Sequence, residues 1–300
     1  MSFESLGLSA PVLQAVADKG YTTPTLIQEK AIPIVLMGRD VLGCAQTGTG
    51  KTASFVLPMI DILSEGRAKA RMPRSLILEP TRELAAQVAE NFEIYGKNHK
   101  LNMALLIGGV SFPDQERALE RGADVLIATP GRLLDHFERG GILLNDVKIL
   151  VIDEADRMLD MGFIPDVERI VATLPPLRQT LFFSATMPPE IKRLADRFLS
   201  NPKEVTVSAP ASASKNIVQG LVVVQEDDKR EALRALIKEQ DIKNAIVFCN
   251  RKRDVAILQT SLKKHGFNAG ALHGDMSQPA RMETLEKFKQ GEIQILVASD

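Results

Sequence analysis

The chain has 300 residues, 45% hydrophobic and 25% charged, the balance of a folded protein with ample apolar mass for a core. Its formal net charge is −1, which excludes a bulk positive field as the means of gripping nucleic acid; such a ligand needs few, well-aimed groups. Cys44 and Cys249 lie in apolar runs and are expected as reduced core thiols, and His99, His136, His265 and His273 show no zinc-ligand spacing.

Residues 9–19 predict an amphipathic helix, with Ser9 as N-cap, Pro11 in the first turn, and Leu13, Val16 and Ala17 inward. Gly20 ends it, and Tyr21–Thr25 turns into a second helix, Leu26–Leu36, that carries Gln28. Then Val41-Leu-Gly-Cys44, an apolar run, leads into Ala45-Gln46-Thr47-Gly48-Thr49-Gly50-Lys51-Thr52 and a helical pattern. Strand, glycine loop and helix start aim successive backbone N–H groups and a positive helix end at one spot. Gly48 and Gly50 let the chain curl into an anion nest. Lys51 offers a charge to the β- and γ-phosphates of a nucleotide and Thr52 a hydroxyl to Mg²⁺; Ala45 stands where the strict pattern has glycine.

Short apolar runs follow at 75–78, 103–107, 124–128, 149–152 and 180–183, most of them trailed by helical patterns at 82–96, 115–121, 132–139, 164–173 and 189–199. This alternation predicts a parallel sheet covered on both faces, with ligands at the carboxyl ends of its strands. Residues 1–204 are read as the first domain and 205–216, with Pro210 and Ser208–Ser214, as a linker. Residues 217–300 resume the alternation as a partial second α/β domain: strands at 221–224, 245–249, 269–272 and 293–298, helices at 228–239, 253–265 and 279–289. A sheet stopping on its last strand suggests a piece of a longer protein. No run reaches the ~18–20 apolar residues of a membrane helix, and Met1–Leu8 lacks the parts of a secretory signal, so a cytoplasmic protein is expected.

Asp153-Glu154-Ala155-Asp156 follows the 149–152 strand. Acids are common at helix starts. Phosphoryl transfer to water, however, needs one carboxylate at the Mg²⁺ shell and another positioning the water. Asp153 suits the first task, Glu154 the second, and Asp156 a tie to another element.

Taken together, these motifs resemble the DEAD-box RNA helicases of superfamily 2, over essentially the whole chain. Gly20–Gln28 is similar to the family's Q motif, Ala45–Thr52 to motif I, and Pro80-Thr81-Arg82-Glu83-Leu84 to motif Ia. Gly108-Gly109 is similar to the glycine doublet, Thr129-Pro130-Gly131-Arg132 to motif Ib, Asp153–Asp156 to motif II and Ser184-Ala185-Thr186 to motif III. Ile246–Asn250 is similar to motif IV, His273-Gly274-Asp275 with Gln278 and Arg281 to the segment after it, and Val297–Asp300 to the start of motif V. Ser2–Leu8 and the Asp160–Phe163 turn resemble most the bacterial RhlE-type branch.

The resemblance implies two RecA-like (P-loop) parallel-sheet domains in tandem, the second incomplete. It implies ATP and Mg²⁺ as cofactors, and single-stranded or short duplex RNA, bound without regard to sequence, as partner. Lys51, Asp153 and Glu154 would be catalytic, with Thr52 and Asp153 holding Mg²⁺ through water. Tyr21 would stack on adenine and Gln28 bond its edge, beside the loop residues 45–52; Phe3 is read equally as a neighbour of that site or as plain core. Pro80, Thr81, Arg82, Gly109, Thr129, Pro130, Gly131 and Arg132 would hold RNA phosphates and sugars, joined by Arg251, Gly274 and Gln278 of the second domain. For Arg251 and Gln278 a solvated helix face is an equal reading. Asp156, Ser184 and Thr186 would couple the two activities, a polar strand-end turn being the plainer reading of the last two. The implied mechanism is a clamp that closes on ATP and RNA and opens short duplexes locally. Motif VI is not among the 300 residues, so poor hydrolysis by this stretch alone is expected. A non-enzymatic RNA clamp and a DNA translocase are the competing readings; Lys51, Asp153 and Glu154 speak against the first, the Asp-Glu-Ala-Asp set with its upstream glutamine against the second.

Overall fold

Among the described residues, seven runs of four to six residues form a single sheet whose inner strands are buried from both sides. They are β1 (Val41–Cys44), β2 (Ser75–Leu78), β3 (Met103–Leu106), β4 (Val125–Ala128), β5 (Ile149–Ile152), β6 (Gln179–Ser184) and β7 (Lys203–Thr206), in the order β3-β4-β2-β5-β6-β1-β7. All the pairings are parallel. The central strands β2, β4 and β5 are buried at every position, as a sheet covered on both faces requires. The structure is a computed structural model that describes residues 2–46, 48–207 and 218–299.

Strand side chains alternate between two cores. Ile77, Ile127, Val151, Leu181 and Phe183 pack with α1 (Ala10–Asp18), α2 (Leu26–Leu36), α3 (Lys51–Leu63) and α4 (Arg82–Tyr95). Leu76, Leu78, Leu126, Leu150, Ile152 and Phe182 pack with α5 (Phe112–Glu120), α6 (Pro130–Glu138), α7 (Ala155–Asp160), α8 (Ile164–Ala172) and α9 (Pro189–Phe198). Within α1 the buried stripe is Val12, Ala15 and Val16, so Ala17, expected inward, is exposed. At 100° per residue Ala17 falls on the solvent side of that stripe. Ser9 precedes α1 but does not cap it with its side chain: its hydroxyl and its N–H (2.8 Å) both donate to the Asp61 carboxylate on α3.

Strand β7 corrects the expected linker, since Val205 and Thr206 pair with Gly43 and Cys44 on the sheet edge. Only Val205 of this strand is buried, too little apolar signal to announce it. Residues 208–216 of the expected linker lie outside the described residues, as do Thr47 and Asp300.

The chain divides into two compact units, 1–211 and 212–300. The second carries a parallel sheet in the order β8-β10-β9, from β8 (Ala245–Phe248), β9 (Ala269–Leu272) and β10 (Ile295–Ala298). With it go α10 (Lys229–Glu239), α11 (Lys252–Lys264) and α12 (Gln278–Lys289). Leu221–Val224, expected as a strand, forms none and is exposed. A strand needs a neighbouring edge to receive its N–H and C=O groups, and β8 and β9 remain the edges of this sheet. Cys44 and Cys249 are half-buried rather than core; burial, then Asp156 and Asp254 respectively, pushes both thiols up, so they stay protonated. No helix among the described residues is long and apolar enough to cross a membrane.

Where β1 passes β6, a Cβ on Gly43 would overlap the Phe183 ring, which is fully buried with its centroid 5.5 Å from that of Phe55. Gly43→Ala is therefore expected to cost about 1–3 kcal/mol, as overpacked cores do. The measurement is urea unfolding: a lower midpoint at unchanged slope is expected, and an unmoved midpoint would show that the ring can shift freely.

Candidate functional site

The loop after β1 is shaped by two left-handed glycines, Gly48 (φ 85°) and Gly50 (φ 84°), and runs straight into α3 at Lys51. At Gly50 a side chain is excluded twice, by backbone angle and by space. A Cβ there would stand 2.5 Å from Gln28 Nε2 and 2.9 Å from Thr25 Oγ1. Gln28 is buried, not solvated: its Nε2 donates to the Gly50 carbonyl (3.1 Å) and its Oε1 accepts the Thr25 N–H (2.9 Å). This one amide ties the start of α2 to the glycine loop. Ala45, buried, donates its N–H to the Ser184 carbonyl (3.1 Å), and Thr49 Oγ1 donates to the Gln46 carbonyl (2.7 Å). Thr47 lies outside the described residues.

A cavity of about 400 Å³ opens against this loop. It brings together the predicted Tyr21, Gln28, Gly48, Gly50, Lys51, Thr52, Asp153 and Glu154, with Phe3 also in its wall. Tyr21 is exposed at 57%, free to present its ring to a ligand. A larger hollow of about 670 Å³, on the second unit between α10 and α11, gathers none of the predicted residues.

Inside the cavity the charges are buried together. Lys51 Nζ lies 2.7 Å from Asp153 Oδ1 and 4.0 Å from Glu154 Oε1. Burial works against the ammonium, but Asp153, by charge and hydrogen bond, with Glu154 and Glu79, holds its pKa above the ordinary lysine value, so the charge is kept. Burial raises Asp153 despite Lys51. Glu154 sits in the left-handed region (φ 49°, ψ 50°) at the start of α7, its N–H donating to Asp153 Oδ1 (2.8 Å). A non-glycine residue held there stores strain of order 1–3 kcal/mol, a cost seen where side-chain placement matters to chemistry. Among the described residues no three His, Cys, Asp or Glu side chains converge to hold a metal directly. Two carboxylates with the Thr52 hydroxyl suit instead a hard cation held mainly through water and phosphate oxygens.

Glu79 is the residue the sequence reading missed. It is 1% exposed in the wall of the same cavity, and burial, then Asp153, pushes its carboxyl well above the usual range. The available signal was an acid directly after a strand buried at all four positions.

Asp156 joins the ends of β5 and β6. Its N–H donates to Ser184 Oγ (3.3 Å), and its Oδ2 accepts both the N–H and the hydroxyl of Thr186 at 2.9 Å each. Burial opposes its ionised form, but these donors outweigh it and lower the pKa.

The candidate nucleic-acid residues of the first unit follow β2, β4 and β3, three neighbours in the sheet. Thr81 caps α4, accepting the Leu84 N–H (3.3 Å), and the Arg82 guanidinium lies so close over Gly108 that a Cβ there would meet it at 2.9 Å. Gly109 (φ 78°) turns the chain, and Thr129 and buried Pro130 start α6, with Gly131 exposed behind them. Arg132 stacks on Phe112 (4.2 Å to the centroid) and donates to the Val110 carbonyl (3.4 Å). Beneath, buried His136 bonds Gln115 (3.0 Å), whose amide donates to the Ile107 carbonyl (3.0 Å), so α5 and α6 jointly hold the glycine turn. Burial and Arg132 keep His136 neutral. The N-termini of α4 and α6 thus leave backbone N–H groups on one side of the sheet's carboxyl edge. In the second unit Arg251 is exposed before α11, Gly274 lies against Lys252, and Gln278 is buried, not on a solvated face.

Residues 25–194 match the profile of the DEAD/DEAH box helicase family, and residues 228–300 match the helicase conserved C-terminal domain. The ATP-dependent RNA helicase DeaD of Escherichia coli K12 is 44% identical over the whole chain, which spans 47% of that protein. The DEAD-box ATP-dependent RNA helicase CshA of Bacillus cereus is 42% identical, and the chain spans 56% of it. The chain therefore covers about half the length of the curated relatives it matches. Among solved structures, a DEAD box protein of Methanococcus jannaschii is 41% identical with a TM-score of 0.65, over all of this chain and 80% of that one. A variant of S. cerevisiae Dbp5 bound to RNA and ADP with BeF3 is 30% identical with a TM-score of 0.83, over 99% of this chain and 75% of that one.

The Asp156 bridge gives a pH prediction. Its folded pKa is depressed, so its contribution is complete above the unfolded value of about 3.9 and is lost as pH falls through the folded one. Asp156→Asn is expected to cost about 1 kcal/mol at pH 7, after discounting for partial exposure. Urea midpoints of the two proteins should differ equally at pH 7 and 5 and converge below pH ~4. A gap that ignores pH would show that the carboxylate charge is not what holds the bridge.

Proposed function

The chain belongs to the DEAD/DEAH-box helicase family, and from that premise we propose that the protein carrying it is a cytoplasmic, ATP-dependent RNA helicase that grips the backbone of single-stranded RNA and opens short duplexes as it hydrolyses ATP. The observation that carries this reading is the meeting of Lys51, Asp153 and Glu154 under a glycine loop at a helix N-terminus, in a cavity that Tyr21 and Gln28 also line.

The N–H groups around Gly48 and Gly50 and the start of α3 receive the phosphates, and Lys51 then has phosphate oxygens as partners besides Asp153. Mg²⁺, when bound, offsets the negative charge that the phosphates carry. Asp153 and Thr52 would hold it through water. Glu154, fixed by its strained backbone, orients the attacking water. Tyr21 supplies a face for the adenine. Gln28, already fastened to Gly50, makes recognition of the base and the shape of the phosphate loop one event. Thr81, Arg82, Gly109, Thr129, Gly131 and Arg132 supply donors to RNA phosphate and sugar, which carry no base information. Asp156, Ser184 and Thr186 pass changes at the acids to the end of β6.

Hydrolysis by the whole protein, measured with single-stranded RNA and then with DNA, tests this reading. Stimulation by RNA alone is expected. Stimulation by DNA would make the protein a DNA translocase, and ATP-locked RNA binding without turnover would make it a clamp. Glu154→Gln should lower turnover by ~10²–10⁴, the worth of a positioned acid–base group, while ATP and RNA stay bound; normal turnover would remove Glu154 from its role. Gln28→Ala should weaken the preference for ATP over GTP in competition binding, and an unchanged preference would place base recognition elsewhere.

A further inference from the structure

Glu79 is unused by the assignments above, yet the fold places it with care. It is the first residue beyond β2, as Asp153 is the first beyond β5, and Leu78 pairs with Ile152 in the register of those strands. The Asp153 N–H continues the ladder onto the Leu78 carbonyl (3.2 Å), and the Glu79 N–H onto the Ala128 carbonyl (3.0 Å), so both backbones are held rigidly. Strand alternation sends Glu79 to the side of Ile77 and Asp153 to the side of Val151, the face that α3 covers. Glu79 is 1% exposed, lines the phosphate cavity, and its Oε1 has no hydrogen-bond partner among the described residues. The nearby cation is already engaged, with Lys51 Nζ 2.7 Å from Asp153. A carboxyl oxygen buried without a partner is not there for stability, because an apolar side chain would fill that place at less cost. It is an acceptor waiting for a donor that enters with the ligand.

We propose that Glu79 is a positioning residue that accepts hydrogen bonds from water molecules around the divalent cation of the bound nucleotide, as a third acid beside Asp153 and Glu154. The inference rests on the reading of this cavity as a Mg²⁺–nucleotide site. Mg²⁺ sheds its water reluctantly, so its bound waters need outward acceptors, and such outer partners govern metal affinity. On this reading Glu79 would act on the cation through water rather than on the nucleotide. It therefore sets how much Mg²⁺ the site needs rather than how well the nucleotide fits.

The experiment is binding of a fluorescent ADP analogue to the whole protein, in EDTA and across a Mg²⁺ titration, with wild type, Glu79→Gln and Glu79→Ala. Wild-type affinity should rise with Mg²⁺; if it does not, the reading of the cavity itself fails. Given that rise, Glu79→Ala should need ~10-fold more Mg²⁺ for the half-maximal effect, the low end for loss of an outer partner. Glu79→Gln keeps the volume and one acceptor and should fall between. Mn²⁺ electron paramagnetic resonance should report the same weakening for the protein–ADP complex. An unchanged Mg²⁺ midpoint in Glu79→Gln and Glu79→Ala would overturn the proposal. So would tighter metal-free binding with an unmoved midpoint, which would make Glu79 only a source of charge repulsion.

Discussion

The buried contact between Lys51 and Asp153 is the constraint around which the first unit is arranged. A lysine 5% exposed and an aspartate 3% exposed are expensive to desolvate, and a 2.7 Å contact offsets that cost only while both are held in place. Lys51 is fixed by the turn at Gly50, which leaves α3 no freedom over where it begins. Asp153 is fixed by the end of β5, the strand at the centre of the sheet. Such a pair is poor as a structural device, since apolar residues would pack there more cheaply. It makes sense as a poised one: an entering anion can take the ammonium, and an entering cation the carboxylate.

The sheet separates the two kinds of chemistry by strand order. The loop residues after β1, the acids after β5 and the Ser184–Thr186 turn after β6 belong to three adjacent strands. The candidate nucleic-acid residues after β2, β4 and β3 belong to the three on the other side. The border runs between β2 and β5, and β2 serves both sides. Glu79 faces the cavity, and Thr81 and Arg82, two and three residues later, begin α4, whose Leu84 and Val88 line the same cavity. A displacement of β2 against β5 would therefore be felt at both candidate sites, with no need for a long path between them.

How much of this was legible follows from what kind of information each feature needs. The phosphate loop was readable because left-handed backbone demands glycine and the chemistry demands lysine, both local requirements. The alternation of short apolar runs and helices likewise named nearly every strand. Leu221–Val224 misled because apolarity is a property of the segment, whereas a strand is a relation to a free edge. β7 was missed for the converse reason: one buried valine suffices where β1 already offers its edge. Gln28 was placed on the correct helix, but that its amide would bind Gly50 depends on two segments 22 residues apart meeting in space. Glu79 carried no motif of its own. Only the register of β2 on β5 shows that it shares a face with Asp153.

A net charge of −1 fits the proposed RNA-binding role only if the grip is local rather than a diffuse field. A protein that relied on a diffuse field would need a surplus of lysine and arginine, and its grip would fade steeply with salt. Here the candidate donors are backbone N–H groups at the starts of α4 and α6 and at the Gly108–Gly109 turn, with Arg82 lying over that turn. The backbone groups cost no net charge and act only at hydrogen-bond distance, so they favour a strand that fits their spacing. The buried Gln115–His136 contact beneath the turn has the same logic, because a donor that is not charged has to be placed accurately to matter. The acids proposed for hydrolysis, Asp153 and Glu154, can then be present without repelling a nucleic acid, since they are buried on the other side of the β2–β5 border.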